Sequence, residues 1–234
     1  MVPHPPIDLE AEFKTFRGDV RLFPLPDFVL FPDGLAPLRV FEARYIALVE
    51  DALEDDGRIA LALLKRTETG EIPTGDQPPI HPVVTVGKIV RHTRTPEGHF
   101  EILLYGLFRA RILSELPHTP YRKARVAVEI DLADPEQAER IADRMRRALD
   151  LVPGKQPLIW EMRRMANSLR GVDAGAGRYA DAVANVSDLS ALGRYEILAE
   201  PDVLVRFERL IQRLEQAAYA DQPLPPAHTQ PRLN

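Results

Sequence analysis

Cysteine is missing from this 234-residue chain. Its absence excludes disulfides, thiolate nucleophiles and cysteine-bound zinc, and it suits a cytoplasmic protein. Long apolar runs are missing too. No stretch approaches the ~18 consecutive apolar residues of a membrane helix. The opening "MVPHPPIDLEAEF" lacks a basic region followed by an apolar one, so no signal peptide is expected. Nor is there an excess of positive charge. Thirty Lys and Arg against 35 Asp and Glu leave a net charge of −5, a field that repels polyphosphates and argues against nucleic acid as a partner.

What is present is the balance of a folded globular protein, 45% apolar and 28% charged, in a length that admits one core or two compact units. From about residue 20 to residue 130 the period is two. In "LFRARIL", Phe108, Ala110 and Ile112 share one face, with Arg109 and Arg111 on the other. "YRKARVAVEI" repeats the pattern, with Ala124, Val126, Val128 and Ile130 inward and Lys123, Arg125 and Glu129 outward. "RIALALL" and "VVTVGKIVRH" read as further strands, and "TPEGH" is a turn into "FEILLYG". The polar stretch "KRTETGEIPTGDQPPIHP" is too long for a hairpin turn.

Near Asp131 the period becomes helical. Asp134 is the expected N-cap of "DPEQAERIADRMRRALDLV", with Pro135 in the first turn and Gln137 completing a capping box. "PLIWEMRRMANSLRG" predicts a second helix, "GVDAGAG" a loop, and "RYADAVANV" and "ALGRYEILAE" two shorter helices. In "PDVLVRFERLIQRLEQAAY", Val203, Phe207, Leu210, Leu214 and Ala217 recur at helical spacing, widened by Leu204, Ile211 and Ala218. This helix should pack on more than one neighbour. The last stretch, "DQPLPPAHTQPRLN", reads as a disordered tail.

The densest apolar stretch is "FPLPDFVLFP", Phe23 to Pro32, with three prolines and six large apolar residues. "RLFPLP", "DFVLFP" and "APLRVF" read as short strands whose prolines sit at ends and edges. Leu22, Leu25, Val29, Leu30 and Leu38 are expected in the core. Phe28, Phe31 and Leu35 are the candidate peptide-contacting residues, because stiffening by proline lets a displayed side chain bind at little entropic cost. Of the two phenylalanines, Phe31 suits the core better, and Phe28, after the turn-like Pro26-Asp27, suits exposure better.

The run "LFPLPDFVLFPDGLAPLRVFEARYIALVEDAL", with Gly57 closing its helix, resembles the start of the substrate-binding N-terminal domain of Lon proteases, a group related to the cereblon N-terminal domain. "VGKIVRHTRTPEGHFEILLYGLFRARI", "PYRKARVAVEI", "YADAVAN" and "RYEILAEPDVLVRFERLIQRL" extend the resemblance from about Val20 to Ala218. It implies an α+β fold, a PUA-like, six-stranded, partly open β-barrel followed by an α-helical bundle. The expected organisation is an N-terminal extension at 1–19, the barrel at 20–131, the helical part at 132–220 and the tail at 221–234. The resemblance also implies a non-catalytic protein that binds polypeptide segments or a protein partner, here in a stand-alone form without ATPase or peptidase domains. An RNA-binding PUA-like module and an unrecognised hydrolase are the alternatives.

Motifs for other chemistry are weak. "VPGKQP" lacks the first glycine and the Ser/Thr of a phosphate-binding loop, and "GAG" at 175–177 completes no dinucleotide fingerprint. His92 and His99 flank a hairpin turn and could face each other, yet no third ligand is spaced to join them, so no metal and no cofactor are expected. Ser168, Ser187 and Ser190 lie in no nucleophile elbow. Glu42 suits the first turn of a helix, and Arg44 can cover apolar surface with its stem. Arg109, Arg111, Arg122, Lys123 and Arg125 could form a basic barrel face, although no aromatic stacking platform is interleaved with them.

Overall fold

The structure is a computed structural model that describes residues 7–75, 77–152 and 175–220. A short helix α1 (Leu9–Lys14) precedes strand β1 (Asp19–Leu25). β2 (Leu35–Val40), α2 (Ala43–Glu54), β3 (Arg58–Leu63), β4 (Val83–Arg94), β5 (Phe100–Leu116) and β6 (Arg122–Glu129) follow. The described residues of the helical part include α3 (Ala138–Leu151), α4 (Ala176–Val186), α5 (Ala191–Leu198) and α6 (Val203–Ala220).

The six strands form one sheet in the order β2-β5-β4-β3-β1-β6, and β6 pairs again with β5. Five strands therefore close a ring, from β1 through β3, β4, β5 and β6 back to β1. Among these six strands, β1 and β3 are the one pair that runs parallel. The 17-residue β5 is long enough to serve two partners along one edge: its first half holds β2 and its second half holds β6. Among the described residues β2 has no other strand partner, so the barrel is partly open on that side.

Alternation places Val20, Leu22, Val84, Val86, Ala110, Ala124 and Val126 inside the ring. A second apolar cluster lies beneath α2, where Leu48, Val49 and Ala52 meet Leu30, Val40 and Leu104. Gly57 closes that helix as expected, its N–H returning to the Ala52 carbonyl at 2.7 Å. The third and largest cluster joins barrel to helices: Val29, Phe31, Leu63 and Val83 pack with Ile141, Val183, Ile197 and Phe207.

In α6 the predicted stripe is buried at Val203, Leu204, Phe207, Leu210 and Leu214 and half-buried at Ile211 and Ala217, whereas Ala218, near the helix end, is exposed. The helix's second contact is with the barrel's exit, where Leu132 and Asp202 form a parallel bridge. Asp134 does cap: it accepts from the Glu136 N–H at 2.9 Å, and Gln137 reaches the Asp134 carboxylate at 3.3 Å, ahead of α3. Helix α4 begins inside the predicted "GVDAGAG" loop, at Ala176. The helix predicted for "PLIWEMRRMANSLRG", the "VPGKQP" loop and the 221–234 tail lie outside the described residues.

Three local readings are corrected. "DFVLFP" is not a strand. It crosses the barrel as irregular chain, its Leu30 carbonyl held by the buried Thr85 hydroxyl at 2.5 Å. Gly106 lets it pass, since a Cβ there would lie 2.2 Å from the Phe31 carbonyl oxygen. Ile130 is exposed because β6 ends one residue earlier. Arg109 points away from the barrel interior but not into water, because the helices cover that face of β5.

Candidate functional site: a recess at the barrel opening

Where β2 keeps one edge free, a recess of about 260 Å³ opens between the ends of β1 and β2. Four consecutive residues of β1 and the bend after it, Phe23 to Pro26, form one wall. Four consecutive residues of β2 and its exit, Leu38 to Phe41, form the other. Strand side chains alternate between faces, so an unbroken run on each wall means that the recess follows the strand edges. β1 loses its β6 partner after Leu22, which leaves that side of Phe23 to Leu25 unpaired. Pro24 sits there because a missing N–H costs no ladder bond.

The floor is aromatic. Phe23 stacks on Tyr45 at 4.4 Å between ring centroids and 25° between planes. The Arg44 guanidinium lies 4.7 Å over the Tyr45 ring and pairs with Glu42 at 2.9 Å. Glu42 is the N-cap residue of α2 without a side-chain capping bond, and its charge stays near the helix N-terminus. At the far end Tyr121 donates to the Asp51 carboxylate. Burial, followed by that hydrogen bond, pushes the Tyr121 phenol up to about 12. Phe41 stands on the rim, 61% exposed, edge-on to His99 at 6.4 Å.

Chemically, the recess is built to hold apolar side chains. Its only carboxylate, Glu42, is committed to Arg44, and the lining includes no serine, histidine or lysine. Its volume is below the roughly 300–1,000 Å³ of typical small-molecule sites. Among the described residues no cluster of His, Asp or Glu has the arrangement of a metal site. His92 does not face His99: it pairs with Ile102, and His99 lies in the turn.

The three residues singled out from sequence are not brought together, and none of them lines the recess. Phe31 is fully buried between barrel and helices, so it cannot meet a peptide; irregular chain carries it into the largest core cluster. Phe28 is half-buried against the cluster under α2. Leu35 is 53% exposed at the start of β2. Phe41 and the Phe23–Tyr45 stack were missed. The available signal was Pro24 and Pro37 inside strand-like runs, which mark unpaired edges.

The four arginines of the basic barrel face are each paired with a carboxylate. Arg111 pairs with Glu129, Arg122 with Glu115 at 2.5 Å, and Arg125 with Asp19 at 2.5 Å. Arg109 is buried against Asp131 and Asp181. Lys123 lies 5.4 Å over the Tyr121 ring.

A partly open barrel backed by helices, with an apolar recess at the opening, has the makings of a binding domain. The family model described as the ATP-dependent protease La (LON) substrate-binding domain matches residues 19–216, and the chain belongs to that family. The Lon protease of Dictyoglomus thermophilum is 32% identical over 191 residues, covering 81% of this chain and 23% of that protein. The Lon protease of Escherichia coli K12 is 28% identical over 204 residues, covering 86% and 25%. The chain thus spans about a quarter of the length of these relatives. The N-terminal domain of a Mycobacterium avium complex Lon protease superposes with a TM-score of 0.62 at 18% identity, covering 84% of this chain and 98% of that one. A Lon N-terminal domain protein from Xanthomonas campestris gives 0.55 at 23% identity, covering 83% and 97%.

Proposed function

We propose that this chain recognises polypeptide segments, or exposed segments of a partner protein, through the recess between β1 and β2. On this reading it acts in the cytoplasm and performs no ATP hydrolysis or peptide cleavage of its own. The observation that carries the reading is the recess itself: an aromatic floor at an unpaired strand edge with a large apolar side chain on its rim. Family membership supports it, since the matched model is that of a substrate-binding domain. The cytoplasmic placement rests on the absence of cysteine.

The test is a tiled array of 10-residue peptides from dephosphorylated β-casein, followed by fluorescence anisotropy of the best binders. Phe41→Ser should weaken binding at least tenfold while moving the melting temperature by no more than a few degrees, because exposed substitutions usually change stability by ~0.5 kcal/mol or less. The 234-residue chain should leave ATP and intact β-casein unchanged. Unaltered affinity in Phe41→Ser would move the binding surface elsewhere, and a reproducible hydrolysis rate would end the non-catalytic reading.

A further inference from the structure

Resting on that reading, we infer that the bound segment is extended and joins the barrel as an added strand on the free edge of β2, with a carboxylate beside Arg39. The register of β2 identifies which backbone groups are available. Gly106 N–H donates to the Gly34 carbonyl at 2.9 Å, and the antiparallel pairing continues as Ala36 with Leu104, Leu38 with Ile102 and Val40 with Phe100. Hydrogen-bonded and non-bonded pairs alternate in such a ladder. Ala36, Leu38 and Val40 therefore bond to β5, and Leu35, Pro37 and Arg39 turn their backbone groups to the open edge. Pro37 confirms the phase, because a proline at a bonded position would break the β5 ladder.

The open edge thus presents the N–H groups of Leu35 and Arg39 and the carbonyls of Leu35, Pro37 and Arg39. No strand of the described residues pairs with them. An unpaired edge is a template for another chain, and main-chain bonding of this kind supplies affinity while pockets for alternate side chains supply selectivity. The recess is such a pocket. It runs along the same edge and continues past Val40 to Phe41. A helical ligand would satisfy its own backbone and leave the edge groups unused, so the geometry favours an extended one.

Charge selects among extended segments. The recess carries three guanidiniums, those of Arg39, Arg44 and Arg122, against the single carboxylate of Glu42. Arg44 is paired with Glu42 and Arg122 with Glu115, whereas Arg39 is exposed and forms none of the ion pairs found among the described residues, although Glu101 stands opposite it on β5 and Glu97 is near enough to feel its charge. An acidic residue in the bound segment complements it, and lysine would be repelled.

The test takes the strongest β-casein peptide and methylates one backbone nitrogen at a time. Removing a backbone donor and adding bulk at the edge should weaken binding to the full 234-residue chain roughly tenfold. Strand addition predicts that loss at every second residue of the seated stretch, with intervening residues within threefold. The Leu35 and Arg39 amides should also become protected from hydrogen exchange on binding. Arg39→Gln should weaken an acidic peptide severalfold and leave its glutamine counterpart unaffected. A flat methylation profile, with unprotected Leu35 and Arg39, would overturn strand addition. If that peptide still depended on Phe41, the recess reading would stand alone; if Phe41→Ser bound it as tightly as the parent, both would fall.

Discussion

Arg206 has no exposure to solvent, and its guanidinium is held by Asp131 at 2.6 Å, by the Glu200 carbonyl at 2.8 Å and by Asp181 at 3.6 Å. Arg109, from β5, reaches the same two carboxylates, so two cations and two anions share one buried site between barrel and helices. Burial drives the Asp181 carboxyl upward, opposed by the two guanidiniums. Removing one member leaves the others uncompensated, and such losses cost about 3–5 kcal/mol. Gly177 is part of this arrangement, because a Cβ there would lie 1.8 Å from an Asp131 carboxylate oxygen. Gly177→Ala is therefore expected to displace Asp131 and to lower the melting temperature by many degrees; an unchanged melting temperature would show that the site is slack. None of this was legible in sequence. Alternation put Arg109 on the face opposite the barrel interior correctly, but a period of two cannot say whether that face meets water or another layer.

A second ion pair joins the turn before β2 to α4, with Asp33 receiving Arg178 at 2.5 and 2.6 Å and the Tyr105 hydroxyl at 2.6 Å. Burial alone would raise the Asp33 carboxyl, yet the hydrogen bonds from Arg178 and Tyr105 together hold it below its ordinary range. A depressed folded-state pKa means that this contribution is complete above the unfolded value of about 3.9 and is lost as pH falls through the folded one. Asp33 has φ 62°, a conformation that Asn tolerates well. Asp33→Asn should thus be less stable than the parent at pH 7, with the difference shrinking below about pH 4. Denaturant midpoints at pH 7, 5 and 3 check this, and a difference that grew toward pH 3 would contradict it.

At the scale of elements, "FPLPDFVLFP" divides its phenylalanines. Phe23 is on β1 at the recess floor, Phe28 is half-buried, and Phe31 is carried by irregular chain into the cluster between barrel and helices. Phe31→Ser should cost about 3–5 kcal/mol through lost burial and the cavity left behind. Phe41→Ser, by contrast, should be nearly neutral for folding. Thermal melts of the two variants separate the roles, and similar losses in both would contradict the placement of Phe41 on the rim. Strands and amphipathic helices were readable here because their periods repeat over several turns or pleats: α6 and β3 to β6 lie where the pattern put them. "DFVLFP" has no period, and its apolar density was mistaken for a strand. The recess depends on which strands pair. Spacing along the chain does not encode that β5 leaves β2 with one free edge.

On the scale of the molecule, burial at the barrel–helix junction and the shared ion site tie the two parts together, and the recess lies at the barrel's opening beside α2. On the proposed reading, binding at that opening uses side chains and edge groups already in place. The most direct measurement is photocrosslinking from position 41. A benzoyl-phenylalanine replacing Phe41 should crosslink the strongest β-casein peptide, and unlabelled peptide should compete it away. The same group replacing Leu192, an exposed residue on α5 outside the recess, should not crosslink. Equal crosslinking from both positions, or crosslinking from position 192 alone, would contradict a binding site at the barrel opening.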